Sequence, residues 1–133
     1  MGPRSVYLPL FLAAFTFIAT LGSIVGHAQA VRSTRDGVYT AAQADRGKQV
    51  FDEQCIACHT AQMWGSDWTG KSAFDAVDYI RQYMPEPAPD SLTPQQAADL
   101  LAFFLRGQAL PPGGTELPAA QEGLKAIQLE KPR

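Results

Sequence analysis

Both cysteines of the chain stand within five residues, Cys55-Ile56-Ala57-Cys58-His59. No other feature restricts the fold as much, because this is the spacing of a c-type haem attachment site. Two thiols three positions apart can reach the two vinyl groups along one edge of a porphyrin and form thioethers. The histidine that follows then lies over the ring and can give its imidazole to iron. A chain built this way folds around its cofactor. Three other chemistries use the same residue types. A structural zinc site needs four protein ligands, and outside the N-terminal segment the chain offers only these three thiol and imidazole groups. A thioredoxin-like pair needs its CxxC at a strand-to-helix turn, and no strand pattern surrounds it. A plain disulfide here would close a loop too small to restrict the unfolded chain much. The spacing favours haem.

The N-terminus places this site outside the cytoplasm. Arg4 is followed by twenty residues without a charge, Val6 to Val25, and then by Ala28-Gln29-Ala30. That is the order of a signal peptide and its small-residue cleavage site. The apolar run is also long enough to span a bilayer, so the alternative is an uncleaved anchor, although Pro9, Gly22 and Ser23 suit a membrane helix poorly. Residues 1–30 are therefore assigned as a signal peptide and 31–133 as one domain, with export to a bacterial periplasm or, if the segment is retained, attachment to the membrane. Cleavage removes one of the 11 basic residues and none of the 13 acidic ones, leaving 103 residues with a net charge of −3. So mild an imbalance argues against nucleic acid or an anionic membrane surface as partner. It also removes His27, so His59 becomes the only histidine.

The rest of the domain reads as helices joined by proline-rich stretches. Thr40 to Gln43 has the form of a capping box and opens a helix that runs to Gln54. Ser72 to Asp75 opens a second, with Phe74, Val77, Ile80 and Met84 along one face; Pro85 should end it near Tyr83. Thr93, Pro94 and Gln96 open a third, whose apolar face is Leu100, Leu101, Phe103, Phe104 and Leu105, with Gly107 placed to stop it. Nothing alternates with period two, so strands are not expected and the fold class is all-α. The haem-binding core spans about 40–107. A tail, 108–133, follows, with Leu117, Leu124, Ile127 and Leu129 as its candidates for docking.

A second axial ligand can be sought by elimination. Met1 and His27 leave with the signal peptide. Met63 lies four residues after His59, a reach of only about 14 Å, too short to round the porphyrin edge. Met84 lies a whole helix further on, in a loop stiffened by Pro85, Pro87 and Pro89. His59 and Met84 are thus the expected iron ligands, with Met84 as a core residue the competing role.

These residues resemble a monohaem class I cytochrome c over nearly all of the domain, from about Tyr39 to Glu130. Cys55 to His59 matches the family's attachment motif, and Tyr83-Met84-Pro85 its methionine loop. The resemblance implies a crossing of the first and last helices, with Gly47 and Phe51 against Leu100 and Phe103. It is closer to small exported cytochromes that accept electrons from quinoprotein (PQQ-dependent) dehydrogenases, through Asp67-Trp-Thr-Gly-Lys71, Asp78-Tyr-Ile-Arg81, Ser91-Leu-Thr-Pro94, Glu116-Leu-Pro118 and Leu124-Lys-Ala-Ile127. Pro87 and Pro89 depart from the pattern. Trp68 has two candidate roles, donor to a haem propionate and core packing. Trp64 is expected to pack at the surface, with cover of a haem edge as the competing role, and Lys71 and Arg81 to be solvated charges, with contact to a haem propionate as theirs.

The resulting expectation is an electron carrier rather than an enzyme, with one haem c held through Cys55 and Cys58. Its partners would be a dehydrogenase and a terminal oxidase or another cytochrome. An exposed thioether edge near Cys55, Ile56, Ala57 and Met63, with few charges, suits a brief apolar encounter. Two alternatives are a fixed subunit of a larger complex, docked by the tail, and a haem sensor with an open iron position.

Overall fold

Gly47 sits against the main chain of a helix fifty residues away: a Cβ placed on it would lie 1.9 Å from the Asp99 carbonyl oxygen. This close approach organises the computed structural model, which describes residue 2 and residues 30–61 and 66–131. Helix α1, Ala41–Gln54, crosses helix α3, Pro94–Gly107, at that glycine. One step along the crossing, Phe51 meets Phe103 at 5.3 Å between ring centroids and Phe104 edge-on at 5.9 Å. The crossing implied by the resemblance is present. Helix α2, Ala73–Tyr83, packs on α3 as well and buries Ala73, Ala76, Val77 and Ile80. A short helix α4, Gln121–Lys125, lies over α2.

The caps follow the local sequence with one exception. Ser72 and Asp75 form a reciprocal capping box, as do Thr93 and Gln96. At α1 the Thr40 hydroxyl accepts from the Gln43 amide, but the Gln43 side chain does not turn back to complete the box. It is fully buried and donates to the Leu117 carbonyl at 3.0 Å while accepting from the Leu117 amide at 2.7 Å. A buried backbone segment needing both partners outcompetes a solvent-accessible N–H.

Helix α3 stops at Gly107 as expected, and its cap lies just beyond. Gly107 is its last helical residue, and the left-handed position falls two residues later, on Ala109 with φ 57°. The Leu110 amide bonds to Leu105 O and the Ala109 amide to Arg106 O, the two bonds of a Schellman motif.

The tail is folded onto the domain at points along residues 110–129. Leu110, Leu117, Leu124, Ile127 and Leu129 are all buried. Tyr39 donates its hydroxyl to Leu110 O at 2.7 Å, and Gly113 lies so close to Gly37 that a Cβ there would be 1.9 Å from the Gly37 oxygen. Arg46 forks onto Asp99 and reaches Glu116, joining α1, α3 and the tail. Hydrogen bonds first to Asp99 and then to Glu116 hold its guanidinium above its ordinary pKa. A small parallel pair, β1 (Arg32–Ser33) with β2 (Ile127–Gln128), ties the two ends of the domain together. Two residues per strand are too few to show period-two alternation, so the expectation of no strands misses this pair. Among the described residues no helix is long and apolar enough to cross a membrane. The assigned signal peptide lies outside the described residues apart from Gly2 and Ala30.

Candidate functional site

The attachment motif continues the helical path of α1 for one more turn. Cys55 is the C-cap, and both its amide and that of Ile56 bond to Phe51 O. The Cys55 carbonyl in turn accepts from Cys58 N at 3.1 Å and His59 N at 2.9 Å. These bonds place Cys58 and His59 one turn beyond Cys55. Ile56 is 59% exposed. Both thiols are free. Cys55 packs against the core, where burial pushes its thiol pKa up, while Cys58 is exposed and His59 half-buried.

This donor set fits a haem c. Two free thiols and an imidazole follow one another on a turn that leaves α1 just after the Phe51 crossing. Among the described residues, no three His, Cys, Asp or Glu side chains converge on one ion position.

Met84 ends α2. Its amide bonds to Ile80 O while its own backbone is extended, at φ −128° and ψ 145°, the region the following proline requires. The side chain is half-buried. Because α3 packs on both α1 and α2, one helix sets the CIACH turn and Met84 in a common frame. The loop after Met84 is a run of turns: Ala88 N bonds to Pro85 O, and Asp90 N returns to Arg81 O. Arg81 is not the solvated charge expected of it, because its Nε also donates to Leu92 O at 3.2 Å. It clamps both ends of the methionine loop, a role that no local pattern advertises.

Trp68 lies in a 3-10 turn, Ser66–Trp68, edge-on to Tyr79 at 5.3 Å and beneath the Lys71 ammonium at 4.7 Å. The packing role is observed directly, and Lys71 is an exposed charge that covers the indole. Met63 and Trp64 lie outside the described residues.

Residues 42–104 match the model of a family described as cytochrome c oxidase, cbb3-type, subunit III. No curated protein and no solved structure matches the chain. The matched stretch runs from α1 through α3 and contains the CIACH turn and Met84. It supports a class I c-type cytochrome, and the mostly helical architecture agrees with that all-α fold. Such a domain implies a covalent haem c with its iron and indicates an electron carrier rather than an enzyme.

Proposed function

Starting from a c-type cytochrome domain over residues 42–104, we propose that the chain is an exported, single-haem electron carrier with His/Met ligation. Cys55 and Cys58 would hold the haem through thioethers, and His59 and Met84 would be its axial ligands. The observation that supports this reading is the doubly used Cys55 carbonyl, which accepts from both Cys58 N and His59 N and so keeps the two cysteines and the histidine within a single turn. When bound, the haem supplies a one-electron couple, and a histidine–methionine pair sets a higher potential than stronger donors do.

The chain's own residues do the rest. Phe51, Phe103 and Phe104 make an apolar wall behind the attachment turn. Arg81 closes the loop that presents Met84. A donor such as an exported quinoprotein dehydrogenase and an acceptor such as an oxidase subunit or another cytochrome fit this role, and the oxidase name of the matched family favours the latter. The free carrier is preferred to a subunit docked by its tail, because Leu117, Leu124, Ile127 and Leu129 are already spent inside this chain. Residues 1–30 would direct export to the periplasm.

The test is the absorption spectrum of the exported protein, oxidised and reduced, with and without carbon monoxide. A low-spin haem with the weak methionine–iron(III) band, indifferent to carbon monoxide, is expected. A high-spin spectrum that shifts with carbon monoxide would replace the carrier with a ligand-binding protein.

A further inference from the structure

Tyr79 and Tyr83 stand one helical turn apart on a flank of α2, outside the face that buries Ala73, Ala76, Val77 and Ile80. They are 45% and 54% exposed, so the core does not account for them. Their ring centroids are 4.9 Å apart, and Trp68 extends the row at 5.3 Å from Tyr79. Trp68 comes from another segment, held in register where Gly70 N bonds to Leu129 O and Leu129 N to Lys71 O. The row is thus assembled by tertiary structure.

Phenol and indole rings are among the side chains that give up a single electron most readily. Lys71 over the indole disfavours positive charge on Trp68, because a cation is attracted to an electron-rich ring and repelled by an oxidised one. A missing electron therefore settles on the exposed phenols, which can release a proton to water. The row ends at Tyr83, the residue before Met84. Tyr39, by contrast, is buried and engaged with Leu110.

We propose that Tyr79 and Tyr83, backed by Trp68, form a second route for electrons, joining the surface to the Met84 side of the domain, separate from the CIACH edge and open to strongly oxidising one-electron acceptors. The proposal rests on the haem assignment above. In the step, a phenol loses one electron to the acceptor and its hydroxyl proton to water, leaving a neutral tyrosyl. The bound haem would supply, in passing from ferrous to ferric, the one electron that refills the ring as the proton returns from water.

The experiment uses the haem-loaded, reduced full chain and a Tyr79→Phe/Tyr83→Phe variant, which keeps the ring packing. Each is oxidised by photogenerated ruthenium(III) tris(bipyridine) and, separately, by ferricyanide, which is too weak to oxidise tyrosine. The variant is expected to react several-fold more slowly with ruthenium(III), to lose the transient tyrosyl absorbance, and to match the parent with ferricyanide. An unchanged ruthenium rate overturns the route. Equal slowing with both oxidants also overturns it, because that marks an effect on docking or folding. The haem band is read before any oxidant is added; its absence would sink the haem assignment and the route with it.

Discussion

Gln43 and Leu117, 74 positions apart, are joined by two hydrogen bonds in which one side-chain amide satisfies both backbone groups of a buried residue. The pair fastens the tail to the first turn of α1. Replacing Gln43 with Ala leaves a buried N–H and C=O without partners, each costing about 1–3 kcal/mol. The variant is expected to lose about 2–4 kcal/mol in urea unfolding, with exchange of the Leu117 amide accelerated. A loss below about 0.5 kcal/mol, typical of surface changes, would mean that the tail is held by its leucines alone.

Gly47→Ala inverts the usual helix rule. In an exposed helix the change would gain about 1 kcal/mol. Here the new methyl would overlap the Asp99 carbonyl, and main chain cannot move aside as a flexible side chain can. A net loss of about 3 kcal/mol or more, or failure to accumulate folded protein, is expected. Wild-type stability would show that the helices can separate freely at this point.

Ala109→Gly should stabilise. Ala109 holds the left-handed position of the Schellman turn at φ 57°, where a Cβ is costly and glycine is at ease. A gain of about 0.5–1 kcal/mol is expected, read as a higher midpoint in urea at unchanged slope.

Tyr39 links stability to alkaline pH. Burial raises its phenol pKa, with Arg106 pulling the other way. A raised pKa contributes stability that is complete below the unfolded value, about 10 for tyrosine, and is lost as pH rises through the folded value. Tyr39→Phe removes the bond to Leu110 O and should cost about 1–2 kcal/mol at neutral pH. Its deficit against the parent should narrow above about pH 10. A deficit that stays constant through alkaline unfolding measurements would assign the effect to packing.

Met84→Leu tests the sixth ligand without removing apolar volume. The fold should persist by circular dichroism, while the methionine–iron(III) band disappears and carbon monoxide binds. Retention of the band would show that another residue occupies the position.

Much of this chain could be read directly because the relevant forces act over four or five residues. Ser72 with Asp75 and Thr93 with Gln96 cap their helices through bonds to the adjacent turn. Pro85 makes Met84 extended by steric contact with its immediate neighbour. The CIACH turn is equally local, since bonds from Cys58 N and His59 N to Cys55 O close it within five residues. The Gly47 crossing was anticipated through resemblance, and no local pattern separates it from a tolerated mid-helix glycine.

What only the tertiary structure decided concerns groups with more than one possible partner. Gln43 could have completed a capping box or reached the tail; the burial of Leu117, set by the whole core, chose the tail. Arg81 could have stayed in water, but the return of residues 90–92 along α2 offered it the Leu92 carbonyl. Trp68 and Tyr79 became neighbours only when Leu129 pinned the segment after Trp68. The sequence by itself determined the helices, their caps and the attachment turn. Which distant backbone groups needed partners, and hence how the tail and the aromatic row are placed, depended on which segments the folded core excluded from water.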